Sequence, residues 1–375
     1  MWIEKFEVSG FLGNEKTISI PFHRDLNILT GRNGAGKTSM LKLMWYIMSG
    51  NILEGLKEVV FQKATLTTSE YTCTVHKVSS NTCRIDLSIS GNEYEFTDIQ
   101  DDDGDIFQLA EDSAAELIVP AGSSVFFPTF RRIEGGFTMN SATRSTNLFP
   151  RRSIKPGAVE EALTALSAKV TNGAHRFVAA ISTVDIVSLL QKTYTDLSEE
   201  SDQLRSAMSS EIIDSIKSFQ RTGEGDYGDR NADDVLRTIR QRIENVEESR
   251  TQVMRPIGEV QRVVRTIFNH KGISIGRLSF GDAAQAINSD FLSAGEKQML
   301  SFLSYNGLNK KCVIFIDEPE LSLHVDWQRK LFATLQRQES TNQFIIATHS
   351  PFIYTKYPDR EVKISSDRGD LEDIS

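Results

Sequence analysis

Long apolar runs are absent from this sequence. No stretch approaches the ~18 apolar residues of a membrane span. The first residues, Met1-Trp2-Ile3-Glu4-Lys5, lack the apolar core of a signal peptide. Cysteine is scarce: Cys73, Cys83 and Cys312 form no metal-ligand spacing. Their odd number suits a reducing compartment better than a disulfide framework. Internal repeats and low-complexity segments are missing as well. These absences set the expectation of a soluble, cytoplasmic chain with no membrane partner. What remains is enough to fold: 375 residues, 39% hydrophobic and 25% charged, supply a sizeable core and argue against wholesale disorder. At ~150 residues per domain, that length allows two or three domains.

An excess of positive charge is also lacking. The net charge of −9 disfavours a surface coated in nucleic-acid contacts. Two local basic segments stand against it. Residues 131–155 carry Arg131, Arg132, Arg144, Arg151, Arg152 and Lys155 against Glu134. Residues 250–277 carry Arg250, Arg255, Arg262, Arg265, Lys271 and Arg277 against Glu259. Acid collects at Asp101-Asp102-Asp103-Gly104-Asp105 and through 196–234. Such runs are either solvated surface or local binding sites.

The first third reads as strands at 2–8, 17–21 and 26–30, a helix over 37–48, then alternating segments at 59–66, 71–77, 83–89 and 93–97. The later segments predict an antiparallel sheet. From Leu236, apolar residues recur at Ile239, Ile243, Val246, Val253, Ile257, Val260, Val264 and Ile267, with Arg250 the polar intruder. That is a heptad seam. A weaker match runs through Val187, Leu190, Tyr194, Leu197, Leu204 and Met208, and 223–229 is turn-rich. An antiparallel helical hairpin, 184–221 against 231–268, satisfies both, each arm about 50 Å long. Two ordinary core helices satisfy them too. Pro256 and Gly258 predict a kink or an end to the second arm. Val313-Ile314-Phe315-Ile316 and Phe344-Ile345-Ile346-Ala347 are continuous apolar runs of buried parallel strands.

Gly31-Arg32-Asn33-Gly34-Ala35-Gly36-Lys37-Thr38 matches G-x-x-x-x-G-K-[ST], between the strand Leu26–Leu29 and a helix pattern from Ser39 to Met48. Glycines let backbone N–H groups converge on one anion, and the helix N-terminus adds its dipole. Lys37 is expected at the β- and γ-phosphates and the Thr38 hydroxyl on Mg²⁺. Ile314-Phe315-Ile316-Asp317-Glu318 ends an apolar strand in two carboxylates. Asp317 suits the metal site, and Glu318 suits a general base acting on water. His349, after a second apolar strand, suits a hydrogen bond to the γ-phosphate. Alone, each of the last two signals fits a plain strand end or a structural histidine; with the phosphate loop they form an ensemble.

Leu292-Ser293-Ala294-Gly295-Glu296-Lys297-Gln298 resembles the L-S-x-G-E-K-Q signature of ABC ATPases, and eighteen residues separate it from Asp317. Phosphate loop, signature, Asp-Glu strand and His switch follow in family order over 31–349. A hairpin between loop and signature is similar to the arms of SMC, RecF and RecN proteins. Glu318-Pro319-Glu320-Leu321-Ser322-Leu323-His324 resembles the E-P-E-x-x-L-H stretch of OLD-like ATPases, as does Phe126–Glu134. Those ATPases recur in prokaryotic anti-phage systems. The likeness points to stand-alone ATPase subunits such as AriA of PARIS, or alternatively PtuA of Septu and retron systems. Two positions depart from the pattern. Thr129 stands where a Q-loop glutamine is expected, and Val325 replaces the proline that often follows Leu-His.

The resemblance implies an α/β fold: an ABC-type P-loop ATPase head, a parallel core sheet plus an antiparallel β-subdomain, with an inserted coiled-coil hairpin. The head would be split over 1–180 and 269–375, the hairpin inserted at 181–268. ATP and Mg²⁺ are the implied cofactors. The nucleotide would contact Gly31, Arg32, Asn33, Gly34, Ala35, Gly36, Lys37, Thr38 and Ser39 of one chain, and Ser293, Gly295 and Glu296 of another in trans. Lys37, Glu318 and His349 would be catalytic, and Thr38 and Asp317 would hold the metal. A homodimer or higher homo-oligomer follows, since one chain cannot complete its own site. Three functions are compatible. One is an ATPase sensor or scaffold in anti-phage defence, triggered by DNA or a phage protein and controlling a separate effector, a Toprim or HNH-type nuclease. The 26 residues after His349 are too few for a Toprim domain of this chain's own. The second is a RecF-like DNA-repair or chromosome-associated ATPase. The third is a nucleotide-gated binding module with negligible turnover.

Overall fold

The computed structural model describes residues 1–100, 106–129, 132–134, 165–222, 232–270 and 293–364. Most of the 131–155 basic segment, the acidic run 101–105, the turn 223–229, residues 271–277 and Leu292 lie outside the described residues. In chain order, β1 (Ile3–Ser9) and β2 (Ile18–Pro21) precede β3 (Leu26–Thr30), helix α1 (Lys37–Met48) and helix α2 (Ile52–Glu58). Then come β4 (Lys63–Thr68), β5 (Tyr71–Lys77), β6 (Cys83–Ile89) and β7 (Asn92–Thr97). After β8 (Ile99–Gln100), β9 (Ile106–Gln108) and helix α3 (Ala110–Ile118) follow β10 (Ser124–Phe127), β11 (Arg132–Glu134), β12 (His175–Phe177) and β13 (Ala180–Ser182). Two long helical arms, Thr183–Thr222 and Ala232–His270, lead to the signature helix Ala294–Leu308. The chain closes with β14 (Val313–Asp317), helix Val325–Gln336, β15 (Gln343–Ala347) and β16 (Glu361–Lys363).

Two six-stranded sheets organise the head. One is antiparallel, ordered β2-β1-β4-β5-β6-β7. The other is parallel throughout, ordered β12-β10-β14-β15-β3-β16. The expected strand over 59–66 begins late, at Lys63; the preceding residues lead out of α2 as irregular chain, with Leu12 N donating to Val60 O and Gln62 N to Ser9 O, both at 2.9 Å.

The parallel sheet is covered on both faces, so its central strands β14 and β15 are buried at every position, with apolar runs Val313–Ile316 and Phe344–Ala347. Phe126 and Phe127 illustrate the alternation. Adjacent strand residues point to opposite faces, and these two join different cores. Phe126 stacks on Phe177 at 5.4 Å and meets Trp45 of α1 at 5.5 Å. Phe127 makes edge contacts with Phe302 and Tyr305 of the signature helix at 4.9 and 5.2 Å. Each such ring pair contributes about 1 kcal/mol beyond burial.

The arms run antiparallel. Arg250 Nε donates to Ser201 Oγ at 3.1 Å, and farther out Arg242 pairs with Glu211 at 3.6 Å. Among the described residues, the base of the hairpin is core: Leu190, Leu197, Ile257, Val260 and Val264 pack beneath the parallel sheet with the signature helix. Farther out, the seam residues Leu236 and Ile243 are 63% and 41% exposed, because two helices cover a stripe on one side only. Of the kink or end expected at Pro256, the end does not occur: the helix of the second arm continues through Pro256 to His270. Tertiary contacts outweigh the missing N–H. Gln338 Nε2 donates to Pro256 O at 3.2 Å, Arg255 pairs with Glu339, and Ile257 and Val260 are buried immediately beyond.

Candidate functional site

Parallel strands bring their C-terminal ends to one edge. The phosphate loop leaves β3 there, Asp317 ends β14, Thr348 and His349 follow β15, and Thr129 follows β10. Residues far apart in sequence thus meet by topology.

The loop turns on glycines held where other residues are strained. Gly34 and Gly36 have φ of 81° and 87°. A Cβ on Gly36 would lie 2.6 Å from Leu12 Cδ1 and 2.7 Å from Phe11 Cε1. Gly36 caps α1, whose first residue is Lys37. Lys37 is 5% exposed, and its ammonium donates to Gly31 O at 3.0 Å and Arg32 O at 3.2 Å. It also lies 2.5 Å from His349 Nε2. An ammonium has no acceptor, so a neutral His349 meets it with Nε2 unprotonated. Burial lowers the Lys37 pKa, and the carboxylates of Glu318, Asp317 and Glu320 oppose that shift.

The Thr38 hydroxyl donates to Asp317 Oδ1 at 3.0 Å. Thr129, in the glutamine's expected place, donates to Asp317 Oδ2. Asp317 is fully buried, so both oxygens must be satisfied within the site. A hydroxyl and a carboxylate at the mouth of the loop are hard oxygen donors, the set Mg²⁺ takes when phosphates and water supply its other ligands. Among the described residues no cluster of three or more His, Cys, Asp or Glu side chains could hold a metal alone.

Glu318 is half-buried and has φ 45°, ψ 65°, a left-handed conformation that costs about 1 kcal/mol or more in a non-glycine residue. Its N–H donates to Ala347 O at 2.8 Å, which fixes the turn. Two residues on, Glu320 Oε1 accepts from Thr348 Oγ1 at 2.7 Å, His349 N at 2.7 Å and Ser350 N at 3.1 Å. Gln328 Oε1 accepts from Ser350 Oγ at 2.6 Å. Neither Glu320 nor Gln328 was assigned a role from sequence. The second glutamate of the E-P-E run was the available signal, and only the geometry gives it a task.

The signature residues sit apart in kind. Ser293 caps the signature helix in a capping box: Glu296 N donates to Ser293 Oγ at 3.4 Å, and Ser293 N donates to Glu296 Oε2 at 2.7 Å. Gly295 is buried in the first turn. Gln298 Nε2 donates to Pro319 O at 3.3 Å, tying this helix to the turn that carries Glu318. Arg32 and Asn33 are exposed at the tip of the phosphate loop, and Ser39 is half-buried. A cavity of about 540 Å³ lies elsewhere, past the C-terminal end of α1. It is lined by Asn51, Glu54, Glu111, Glu116 and Lys169 among others.

Comparison with known proteins identifies an ATPase family. The model of the AAA ATPase domain family matches residues 1–354. The chain is 33% identical over 86 residues to the retron Vc95 probable ATPase of Vibrio cholerae serotype O1 biovar El Tor, covering 20% of this chain and 17% of that protein. It is 34% identical over 73 residues to the retron Ec83 probable ATPase of Escherichia coli, covering 16% and 14%. Each match thus spans under a fifth of the relative's own length. Among solved structures, an Smc head domain with an extended coiled coil from Pyrococcus furiosus aligns over 98% of this chain and 94% of its own at 13% identity, with a TM-score of 0.38. The recombination mediator RecF aligns over 94% of each chain at 11% identity and a TM-score of 0.32. No helix among the described residues is long and apolar enough to cross a membrane. The chain belongs to the AAA ATPase domain family.

Proposed function

We propose that the chain is an ABC-type ATPase that binds and hydrolyses ATP between two copies of itself, and that this cycle governs a separate effector in an anti-phage defence system. The observation that carries the catalytic part is the convergence of Lys37, Thr38, Asp317, Glu318 and His349 at one sheet edge. Lys37 and the loop N–H groups bind the β- and γ-phosphates. Thr38 and Asp317 hold Mg²⁺, which when bound neutralises charge on the phosphate oxygens. Glu318 accepts a proton from water as the water oxygen attacks the γ-phosphorus. The bond to the bridging oxygen breaks, and ADP and phosphate leave. His349, whose ring lies beside the Lys37 ammonium, orients the γ-phosphate by a hydrogen bond.

Ser293 and Gly295 reach the γ-phosphate of the partner's nucleotide, so ATP joins two chains and its hydrolysis loosens them. The names of the retron relatives support the defence setting, and the hairpin supplies a lever or platform for the effector. The RecF-like reading has less support. Of the second basic segment, Arg250, Arg255 and Arg262 are paired with Glu247, Glu339 and Glu259, which leaves less free charge for DNA.

Complementation between inactive chains tests this function. Lys37→Ala and Ser293→Asp each abolish turnover alone. Mixed, they assemble pairs with one native composite site, and turnover recovers to about a quarter of the native rate. A silent mixture overturns the shared site. A native chain that releases no phosphate from ATP overturns hydrolysis itself and favours a nucleotide-gated binding module.

A further inference from the structure

Glu320 has no chemical task in this cycle, yet its carboxylate is held at the centre of the site. Oε1 accepts three hydrogen bonds, all from the short loop Thr348–Ser350. Two come from backbone N–H groups, and bonds to an ionised acceptor are about twice as strong as neutral ones. The turn that presents Glu320 is itself anchored on two sides. Gln298 of the signature helix donates to Pro319 O at 3.3 Å, and Gln328 donates to Leu323 O at 2.7 Å. Glu320 Oε2 is buried and accepts no hydrogen bond among the described residues. A half-buried carboxylate with one oxygen buried and unsatisfied carries a desolvation cost, and a neutral acceptor would satisfy the same loop at lower cost. Its charge also acts on Lys37 together with Asp317 and Glu318.

We infer that Glu320 is a positioning residue for hydrolysis: it fixes the backbone of His349 so that Nε2 stays on the γ-phosphate side of Lys37. The inference rests on the proposal that the chain hydrolyses ATP at this site. His349 N is bonded to Glu320 Oε1 at 2.7 Å and His349 Nε2 lies 2.5 Å from Lys37 Nζ. The loop is thus set from its backbone end by one residue and read out at its ring end by another. Misplacement of a reacting group by about 1 Å costs on the order of 100-fold in rate, so loss of the backbone clamp is felt in turnover rather than in nucleotide capture, which the phosphate loop performs.

A double-mutant cycle tests it. Glu320→Ala lowers kcat by roughly 30-fold or more and leaves KM within about twofold. In the His349→Ala chain, where no ring remains to position, Glu320→Ala lowers kcat by less than about twofold further. Glu320→Gln, which keeps one acceptor oxygen, restores part of the rate. An equal loss in both backgrounds, or no loss in the native one, overturns the inference. A second measurement is independent of turnover. Hydrogen exchange at the His349 and Ser350 amides speeds up in Glu320→Ala and in any case stays slow in the parent, and unchanged exchange also overturns it. Absence of turnover in the native chain with fast exchange in the variant would instead fault the proposed hydrolysis.

Discussion

The Thr38 hydroxyl donates to the Asp317 carboxylate across 3.0 Å, joining the first turn of α1 to the last residue of β14. That bond brackets the place where a metal-bound phosphate would enter. Asp317→Asn keeps the shape and removes the charge. ATP affinity measured with Mg²⁺ should fall about tenfold or more, while affinity measured with chelator present stays nearly constant. Equal losses under both conditions would remove Asp317 from the metal site.

Glu318 carries the general-base role, and its substitution separates binding from chemistry. Glu318→Gln should retain ATP and lower phosphate release by about 100-fold or more. Trapped nucleotide should also hold two chains together, so size exclusion with ATP shows the paired species persisting. A rate unchanged from native would point to a nucleotide-gated binding module with no turnover to lose.

Gly36 is constrained twice, by φ of 87° and by Leu12 and Phe11 against its missing side chain. Gly36→Ala should cost about 2 kcal/mol of folding stability and weaken ATP binding, because the loop must move away from that contact. Urea denaturation and nucleotide titration measure the two effects. Full stability and full binding would mean that the loop relaxes freely.

Much of this site was legible because it rests on local pattern. The phosphate loop carries its own glycines, and β14 and β15 contain the continuous apolar runs Val313–Ile316 and Phe344–Ala347 that a surface strand would not have. What stayed hidden depends on tertiary pairing. β10 and β12 are four and three residues long, too short for periodicity, and become strands by inserting beside β14. The α2 helix is seven residues with Gly55 inside and has no strong propensity of its own. Glu320 reads in sequence like any turn carboxylate, and only the return of β15 gives it three donors. Pro256 does not end the second arm, since buried neighbours hold the helix through it.

Glu111 lines the cavity beyond α1, is buried, and has its pKa raised to about 7, chiefly by burial. The folded chain therefore keeps a proton that the unfolded chain releases above the ordinary value of 4.5. Stability is fully present below that value and is lost as pH rises to about 7, by up to about 3 kcal/mol. Glu111→Gln should remove this slope and be the more stable chain at pH 8, with little difference at pH 4. Urea midpoints across that range measure it, and a slope that persists in the variant would assign the effect to other groups.

Ser293 has two jobs that one substitution series can separate. Within its own chain it caps the signature helix, with Glu296 completing the capping box. Across the proposed pair it faces the partner's γ-phosphate. Ser293→Ala removes both, at about 1 kcal/mol for the cap. Aspartate caps a helix as well as serine does, but its charge repels phosphate. Ser293→Asp should therefore keep the native melting behaviour while abolishing ATP-driven association, and Ser293→Ala should lose stability yet retain part of that association. If association instead tracks stability across both variants, the cap alone accounts for Ser293 and the composite site loses its trans contact.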